Sequence, residues 1–274
     1  MHFTKMHGLG NDYLYIYGEP VNPETLSIRL SERHFGVGSD GMIWISPSKT
    51  ADFKMRIFNA DGSEAKMCGN GIRCVGKYVY EKGYTDQTEL HIETMSGIRT
   101  LHLQVVHGKV SCVSVDMGIA TAKPELTLES YDTGAGPKLP AEFLHGIPVS
   151  VGNPHFVLFI KSSDELSDTL LTTVGLFIEH HPAFPGGVNV EFIQVLDSHN
   201  LRMRVWERGS GITMACGTGA CASVMAAVSR GFCHEDEPVS VHLDGGTLQI
   251  TIDSLHHVTM TGPAEFICEG ETID

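Results

Sequence analysis

The sequence predicts an α+β fold that is built twice, and three observations support this fold class. First, residues 55–83 and 203–231 carry the same pattern at an offset of 148 (203 − 55), which aligns Cys68 with Cys216. A period this long indicates duplicated domains, because solenoid repeats span roughly 20–50 residues. Second, each half contains many short alternating segments and only two long helical segments. Third, the helical segment ACASVMAAVS is apolar nearly all round, which is typical of a helix enclosed by a sheet.

The first half is predicted to begin with two strands, a helix and a third strand. We predict strands at 2–6 and 12–17 around the turn 7–12, and a helix from Pro23 to about Arg33 with Asn22 as its cap. The strand MIWIS follows the glycine-containing loop 35–41, and the first copy of the repeated unit comes next. Alternating apolar runs then predict strands at 89–94, 98–106 and 110–116.

The second half is predicted to repeat this order. Its predicted elements are a strand within 147–160, a helix over about 165–181, the strand VEFIQV, the second copy of the unit, and strands at 239–243 and 247–252. The segment 118–146, which contains proline, glycine and threonine, is the best candidate for the connection between the halves.

Composition and charge argue against several classes of function. The 274 residues carry a formal charge of −14, which argues against nucleic-acid binding because phosphates need a basic surface. Seven cysteines, an odd number without a compact disulfide framework, fit a reducing cytoplasm. The amino terminus shows no signal-peptide pattern, and no apolar run approaches the roughly 18 residues of a membrane span, so we expect no membrane partner. Five cysteines are interpreted as packing residues: Cys74, Cys112, Cys221, Cys233 and Cys268.

Each copy of the repeated unit places Cys-Gly-x-Gly at the predicted start of a helix. The first amides of a helix have no partner within the helix and carry partial positive charge, so they can bind a carboxylate or an oxyanion. A cysteine at this place has its thiolate stabilised, and we expect its pKa to fall toward neutrality. A single site of this kind would be explained equally well by a buried structural cysteine.

The pair Cys68 and Cys216 indicates a more specific reaction. If both helix starts face one cleft, a substrate carboxylate receives amides from both, with one sulfur on each side of its α-carbon. Inversion of a stereocentre requires a base on one face and an acid on the other, because reprotonation by the original group restores the starting isomer. Cysteine suits both roles, since its pKa can be tuned near the working pH. Paired thiols therefore predict a racemase or an epimerase.

Seven short motifs, in order along nearly the whole chain, resemble those of the diaminopimelate epimerase family. They are HGLGND at 7–12, NADGS at 59–63, MCGNG at 67–71, GNPH at 152–155, GVN at 187–189, ERG at 207–209 and ACGTGA at 215–220. The resemblance implies a pyridoxal-independent enzyme that interconverts LL- and meso-diaminopimelate in lysine and peptidoglycan-precursor biosynthesis. It implies a homodimer that needs no cofactor. The spacings of Cys68 to Cys74 and of Cys216 to Cys221 are not the CxxC of zinc ribbons, so we expect no metal.

The resemblance also implies an architecture. It consists of two pseudo-symmetric domains, each a mostly antiparallel sheet wrapped around a central helix, with the C-terminal segment returning to the first domain. With the connection beginning at residue 118, we predict a first domain of residues 1–117 together with 263–274, and a second domain of residues 118–262.

The site residues implied by the resemblance are carried over position by position. Cys68 and Cys216 form the acid/base pair, which His155 and Glu207 assist by poising Cys68 and Cys216 respectively. The reacting carboxylate binds at the helix starts, at Gly69, Asn70, Gly217 and Thr218. The substrate's amino groups and distal carboxylate are held by Asn11, Asn59, Asn153, Asn189 and Arg208, with Glu207 also in contact. A guanidinium suits a carboxylate because it offers two parallel hydrogen bonds.

Two positions depart from the commonest family pattern. Gly41 stands where many members carry a glutamine that contacts the substrate, so we expect that contact to be absent or supplied otherwise. Ile212 replaces a frequent acidic residue in the loop before Cys216. Neither departure removes a predicted catalytic group.

Three other functions remain open at this point. A proline or hydroxyproline racemase would use the same paired thiols, but its substrate would leave Arg208 and the asparagines without a distal carboxylate. A thiol redox protein would cycle Cys68 and Cys216 through a disulfide, although redox pairs usually lie in a short local motif. A binding module without activity would tolerate the loss of both cysteines.

Overall fold

The computed structural model describes residues 1–128, 141–163 and 166–273, and the chain divides into two compact units. The first unit consists of Met1–Asp116 and Thr261–Asp274, and the second consists of Met117–Met260. Two sequence predictions reach outside the described residues: the connecting segment 118–146 includes 129–140, and the helix predicted over about 165–181 includes residue 165. Among the described residues, no helix has the length and apolar character needed to span a membrane.

The first unit combines one sheet with two helices. Its elements are β1 (His2–Gly8), β2 (Asn11–Tyr17), α1 (Pro23–Ser31), β3 (Gly41–Pro47), β4 (Phe53–Asn59), β5 (Glu64–Ala65), α2 (Gly69–Glu81), β6 (Glu89–Thr94), β7 (Gly97–Val106), β8 (Lys109–Ile119) and β19 (Glu265–Glu271). The sheet has the order β19–β1–β2–β3–β4–β6–β7–β8, and only the pairs β2–β3 and β4–β6 are parallel. Helix α2 is buried at every position from Gly69 to Val79.

The second unit repeats this arrangement. Its elements are β9 (Thr121–Ala122), β10 (Leu126–Thr127), β11 (His145–Ser150), β12 (Pro154–Phe159), α3 (Asp168–Glu179), β13 (Asn189–Asp197), β14 (Asn200–Glu207), β15 (Gly211–Ile212), α4 (Gly217–Ser229), β16 (Val239–Leu243), β17 (Gly246–Ile252) and β18 (His257–Gly262). The sheet has the order β11–β12–β13–β14–β16–β17, with β9 and β10 on the outer side of β11. The pairs β12–β13 and β14–β16 are parallel, as in the first unit. Helix α4 is buried from Gly219 to Ala227.

The two central helices begin and end by the same local devices. Cys68 is the N-cap of α2, and its sulfur accepts a hydrogen bond from the Gly71 amide; Cys216 and the Gly219 amide repeat this contact in α4. A side-chain acceptor at this place satisfies one amide that the helix itself leaves without a partner. Both helices stop just before a glycine with positive φ, which is a common C-terminal geometry because glycine has no Cβ to oppose it.

These observations confirm the predicted α+β class and the duplication, with local corrections. Asn22 precedes α1 as predicted, but its φ is 47° and its side chain makes no capping hydrogen bond. Helix α1 ends at Ser31 rather than near Arg33, and α3 runs only from Asp168 to Glu179. Of the five cysteines interpreted as packing residues, Cys268 is exposed, because it lies on β19, whose residues are mostly exposed.

Candidate active site

In the first unit, the Cys68 thiol lies between a helix start and a strand start. Its sulfur accepts a hydrogen bond from the Gly71 amide at 3.3 Å and donates to Asn11 Oδ1 at 3.3 Å. Asn11, which the sequence predicts to bind the substrate, is the first residue of β2. It contacts the predicted catalytic thiol directly. Cys68 is half-buried. It therefore keeps a route to a ligand while one of its hydrogen bonds comes from the helix start.

Asn11 is held in turn by a group of charged residues. Its Nδ2 donates to Asp40 Oδ2 at 2.8 Å, and Arg33 Nη2 lies 2.9 Å from Asp40 Oδ1. Asp12 extends this group, because its Oδ2 forms an ion pair with Lys5 Nζ at 2.9 Å. The donation from Asn11 to a carboxylate fixes its amide so that Oδ1 is available to the Cys68 thiol.

Tyr13 is a neighbour of Cys68 that the sequence analysis did not identify. Its ring is buried, and its hydroxyl is hydrogen-bonded with Asn11 and Cys68. Burial raises the pKa of Tyr13 well above its usual value, and the nearby Cys68 and Asp40 add to this shift. The phenol therefore remains protonated and is available as a hydrogen-bond donor at ordinary pH.

The other predicted residues of the first unit lie at the ends of β4 and at the start of α2. Asn59 is half-buried and donates from Nδ2 to Ser63 Oγ at 3.0 Å. Gly69 and Asn70 are buried in the first turn of α2. Arg73, which the sequence analysis missed, is fully buried and donates to Gly69 O at 3.1 Å and to Asn70 Oδ1 at 3.0 Å.

In the second unit, Cys216 occupies the corresponding helix start but is more deeply buried. It is 5% exposed, and its sulfur accepts from the Gly219 amide at 3.4 Å and lies 3.6 Å from Thr218 Oγ1. Burial raises the pKa of the Cys216 thiol well above its usual value, and the carboxylates of Glu207 and Glu191 raise it further. The expectation of a lowered pKa is thus wrong for Cys216, because burial and two acids outweigh the helix amide and the Thr218 hydroxyl.

Glu207, the last residue of β14, contacts the Cys216 thiol. Its carboxylate accepts hydrogen bonds from Cys216 and from Thr213 Oγ1, the latter at 2.5 Å. Burial raises the pKa of Glu207, and the Coulombic effect of Glu191 acts in the same direction. A carboxylate with a raised pKa is a stronger base, so Glu207 is suited to receive the thiol proton. Thr213 was not identified from the sequence.

His155 and Asn153 form the other side of the second-unit site. His155 Nε2 lies 3.0 Å from Asn153 Oδ1, and Asn153 Nδ2 donates to Thr218 Oγ1 at 3.2 Å. His155 Nδ1 lies 2.6 Å from Glu191 Oε1, and both of these side chains are 0% exposed. Within this unit, three predicted residues are therefore joined in a chain that leads to the helix start beside Cys216.

Asn189 and Arg208 lie together at the edge of the second sheet. Asn189 is buried, donates from Nδ2 to Pro154 O at 3.0 Å, and accepts from the Arg208 amide at 3.0 Å. Arg208 is exposed, and its Nη1 donates to Gly186 O at 2.9 Å. The amide of Asn189 thus positions the Arg208 backbone, while part of the guanidinium remains accessible to a ligand.

The structure explains both departures from the family pattern. At Gly41, a Cβ would lie 2.2 Å from the backbone oxygen of Phe58 and 3.0 Å from Tyr13 Cε1. No side chain fits there, and Tyr13 occupies the adjoining space. Ile212 is half-buried and packs against the apolar cluster around Leu171, Phe192 and α3. An isoleucine at this position therefore contributes to the core instead of offering a charge.

The residues that sequence reasoning missed were accessible in part through the repeat. The offset of 142 that aligns Asn11 with Asn153 also aligns Tyr13 with His155, and the offset of 148 aligns Ile43 with Glu191. A residue-by-residue comparison of the two halves would have marked Tyr13, because it aligns with the predicted site residue His155. It would also have shown Glu191 as an acid at a position that is apolar in the first half. Arg73 has no comparable signal, because its burial depends on a contact with Pro263 O at 3.1 Å, far along the chain.

Comparison with known proteins identifies the family. The sequence model of the diaminopimelate epimerase family matches residues 3–123 and again residues 147–267. The chain is 48% identical to the diaminopimelate epimerase of Acetivibrio thermocellus, over 99% of this chain and 98% of the relative. It is 48% identical to that of Bacillus subtilis, over 98% and 97%, and 46% identical to that of Methanococcus maripaludis, over 99% of each chain.

Solved structures with much lower identity share the fold. A phenazine biosynthesis protein of the PhzF family from Bacillus anthracis superposes with a TM-score of 0.78 at 16% identity, over 100% of this chain and 99% of the other. A probable proline racemase from Agrobacterium radiobacter gives a TM-score of 0.72 at 16% identity, over 99% and 92%. At such identities the likeness establishes the duplicated architecture alone. The family match and the full-length relatives give the narrower conclusion: this chain belongs to the diaminopimelate epimerase family.

Proposed function

We propose that this protein is an amino-acid epimerase that interconverts LL-2,6-diaminopimelate and meso-diaminopimelate, in lysine and peptidoglycan-precursor biosynthesis. The observation that carries the proposal is the pair of thiols, half-buried at Cys68 and buried at Cys216, each of which is the N-cap of a central helix. Relatives that are 46–48% identical over nearly their whole length are named diaminopimelate epimerase, which supports the choice of substrate.

The proposed chemistry is proton transfer at one α-carbon. A thiolate removes the α-proton, the electron pair of the C–H bond moves toward the carboxylate, and a thiol on the opposite face returns a proton to the same carbon. Atoms and charge balance, and the two sulfurs exchange protonation states in each turnover. The mechanism requires Cys68 and Cys216 to address opposite faces of that carbon.

The raised pKa of Cys216 supports one assignment of resting states. Because burial and the adjacent carboxylates disfavour its thiolate, Cys216 is the thiol before substrate binds. In that state it acts as the acid, and Cys68 removes the α-proton after the proton that it donates to Asn11 Oδ1 has passed to solvent. In the reverse direction Glu207 accepts the proton of Cys216 through their hydrogen bond, a solvent proton returns to Cys68, and Cys216 becomes the base.

The helix starts are proposed to bind the reacting carboxylate. Gly69 and Asn70 begin α2, and Gly217 and Thr218 begin α4. Their amides carry partial positive charge and would stabilise the negative charge that develops on the carboxylate when the proton leaves. Each donor of this kind is typically worth about 3 kcal/mol in the transition state.

The remaining predicted residues are proposed to recognise the rest of the substrate. Arg208 is exposed and suits the distal carboxylate, while Asn189 positions its backbone. Asn11, Asn59 and Asn153 offer amide oxygens to the amino groups. Asn11 contacts Cys68, and Asn153 contacts Thr218. A substrate bound by these asparagines would therefore affect the hydrogen bonds at the helix starts.

We further propose that the enzyme is a cytoplasmic homodimer that works without a cofactor or a metal. The family resemblance supports the dimer and the cofactor-free chemistry. The cytoplasmic location is supported by the cysteine content and by cysteines that form no disulfide in the described part of the chain.

A deuterium-exchange experiment tests the function. The purified protein is incubated with LL-diaminopimelate in deuterated water without added cofactor, and the product is analysed by NMR and mass spectrometry. We expect deuterium at one α-carbon and a mixture of the LL and meso isomers. Absence of exchange, with both thiols titratable, would contradict the proposal.

Matched variants connect the activity with the thiols. Cys68→Ala and Cys216→Ala are expected to abolish epimerisation, whereas Cys268→Ser, which changes an exposed cysteine, is expected to retain it. Activity with free proline and none with diaminopimelate would favour a proline racemase. Full activity of a protein in which Cys68 and Cys216 have been oxidised to a disulfide would contradict the proposed proton transfer.

A further inference from the structure

Glu179, the last residue of α3, is a buried acid that no step of the proposed chemistry uses. Its Oε2 accepts a hydrogen bond from Trp206 Nε1 at 2.7 Å, and its Oε1 accepts from the Gly209 amide at 2.9 Å. An indole N–H and a backbone amide can only donate, so the direction of both hydrogen bonds is settled by the donors. Glu179 therefore joins the end of α3 to β14 and to the turn that follows this strand.

The two donors lie on either side of the predicted site residues Glu207 and Arg208. Trp206 precedes them in β14, and Gly209 follows them with a φ of 76°, a backbone conformation that favours glycine. The Ser210 amide donates to Glu207 O at 3.0 Å, which closes residues 207–210 into a tight turn. One carboxyl group thus holds both ends of the segment that carries the arginine.

The orientation of Arg208 depends on the position of this turn. Its amide donates to Asn189 Oδ1 at 3.0 Å, and the next amide, that of Gly209, donates to Glu179. The aliphatic part of Arg208 lies against Gly187, where a Cβ would be 2.8 Å from Arg208 Cδ. Two successive turn amides are therefore held by side-chain oxygens. A guanidinium that binds a carboxylate through two parallel hydrogen bonds needs a defined orientation, so such supports matter for binding.

Helix α3 is shaped to bring Trp206 to Glu179. Gly175 lies one helical turn before Glu179, on the same face of the helix. A Cβ at this position would lie 2.4 Å from Trp206 Cγ, so the indole rests directly on the helix backbone. The indole also packs against the apolar cluster that contains Leu171 and Phe192. The approach of the ring to the helix allows its N–H to reach the acid.

The first unit holds the corresponding strand end with a different group. The hydroxyl of Ser27, in α1, lies 2.8 Å from Asn59 O at the end of β4. Ala60, which the offset of 148 places at the position of Arg208, offers no charged side chain to a ligand. The contact between a helix acid and the turn amide is therefore located in the half that carries the arginine.

We propose that Glu179 is a positioning residue that fixes the turn 207–210 and thereby sets the orientation in which Arg208 meets the distal carboxylate of the substrate. The part of this inference that concerns the substrate rests on the proposed function. The position of the turn does not, because it is a property of the protein without substrate.

The contact with Trp206 is measured on the full chain by the indole signals in a ¹H–¹⁵N correlation spectrum. The chain has two tryptophans, and Trp206→Phe assigns their signals. Trp44 serves as the internal reference, because its Nε1 is buried and has no hydrogen-bond partner among the described residues. Glu179→Met removes both acceptor oxygens, so we expect the Trp206 indole proton to move upfield while the Trp44 signal stays. An unchanged Trp206 signal would overturn the proposal.

A second variant covers the case in which Glu179→Met does not fold. Glu179→Gln has the same size but only one acceptor oxygen, so at most one of the two donors can keep its partner. At least one of two signals, the Trp206 indole or the Gly209 amide, is therefore expected to shift. Two unchanged signals would contradict the role of Glu179.

The effect on substrate binding is measured by steady-state kinetics under conditions in which each variant is folded. We expect Glu179→Met to raise KM for diaminopimelate about ten-fold and to change kcat less than about three-fold, because the distal carboxylate takes no part in the chemical step. Loss of folded protein alone would lower the apparent kcat and leave KM unchanged. A wild-type KM in Glu179→Met would contradict the proposal.

Glu81→Met is the matched control. Glu81 is the last residue of α2, and its Oε1 accepts from Lys77 Nζ at 2.8 Å and from the Val110 amide at 2.9 Å. It thus resembles Glu179 in its place on a helix and in its two kinds of donor, but it contacts no predicted site residue. We expect this variant to be less stable and to keep the wild-type KM. An equal rise of KM in Glu81→Met would show that the effect is not specific to the turn.

A double variant tests whether Glu179 acts through Arg208. Arg208→Met removes the guanidinium, so the pair Glu179→Met and Arg208→Met should have a KM no higher than that of Arg208→Met alone. Multiplicative increases in KM would refute the proposed route. If the wild type lacked activity with diaminopimelate, the proposed function would fail, whereas the indole measurement would still test the position of the turn.

Discussion

Arg73 Nη2 donates a hydrogen bond to Asn70 Oδ1 at 3.0 Å, and the arginine is 0% exposed. The same guanidinium donates to Gly69 O at 3.1 Å and, through Nε, to Pro263 O at 3.1 Å. One buried cation thus supports the two residues that follow Cys68 and connects them to the segment before β19. The shape of this helix start depends on a side chain one turn farther along α2.

Replacement of this cation is predicted to destabilise the protein. Arg73→Met keeps an apolar stem of similar length but removes the donor of two buried oxygens and of the part-buried Pro263 O, which we expect to cost about 3 kcal/mol of the free energy of unfolding. The measurement is urea denaturation. Arg230→Met is the control, because Arg230 pairs with Glu125 where both side chains are 45% exposed, and we expect it to cost less than about 1 kcal/mol. Equal losses would show that burial of Arg73 is not the cause.

The Tyr13 hydroxyl is predicted to matter for turnover. Tyr13→Phe retains the ring but removes the group that is hydrogen-bonded with Asn11 and Cys68. We expect kcat for epimerisation to fall about ten-fold, because the half-buried Cys68 thiol loses a polar partner. Tyr84→Phe, at a ring 44% exposed, is the control and should keep wild-type kcat. A Tyr13→Phe enzyme with full kcat would show that the phenol is only a packing group.

Gly41 is predicted to tolerate no side chain. The Cβ would lie 2.2 Å from the Phe58 backbone oxygen, which cannot move without disturbing β4. We expect Gly41→Ala to lower the free energy of unfolding by about 2 kcal/mol and Gly41→Gln by at least as much. Gly186→Ala, where nothing lies within 4 Å of a Cβ, should change it by less than about 0.5 kcal/mol. A stable Gly41→Gln protein would contradict this account of the departure.

Stability is predicted to fall at high pH in part because of Cys74. Burial raises the pKa of this thiol from 9.0 to about 11. Between these values the unfolded thiol ionises while the folded one keeps its proton, so the unfolded state binds fewer protons and gains stability as pH rises. Two pKa units correspond to about 3 kcal/mol by pH 11.

The comparison with a variant isolates that contribution. Cys74→Ala should lose less stability than the wild type between pH 9 and pH 11, by about 3 kcal/mol, as measured by urea denaturation across the range. Val75→Ala, the next buried position of α2, should lower stability at every pH without changing the slope. Parallel curves for Cys74→Ala and the wild type would refute the assignment.

Much of the fold was predictable because its signals are local or repeated. The Cys-Gly-x-Gly pattern predicted that α2 and α4 begin after Cys68 and Cys216, and both cysteines are N-caps. A capping contact joins residues three apart, so it is encoded within one short segment. The offset between the copies predicted the duplication, since equal sequences at equal positions favour equal folds.

The charge environment of the site was not predictable in this way. A helix start predicts a lowered thiol pKa, yet burial, Glu207 and Glu191 raise that of Cys216. Two opposing effects were present, and only the three-dimensional arrangement sets their sizes, because desolvation depends on everything that surrounds the sulfur. Arg73 is a similar case, since an arginine in a helix is ordinarily expected at the surface.

The sequence by itself determined the class of fold, the two helix starts and the residue types that suit proton transfer at carbon. The tertiary structure decided which neighbours those residues have: Glu191 behind His155, Tyr13 beside Cys68, and a carboxylate in contact with Cys216. Glu191 and His155, for example, lie on β13 and β12, strands that are separated along the chain by α3 but adjacent in the sheet. Strand pairing and burial exist only in the folded molecule. They set the protonation state of side chains whose identity the sequence already gives.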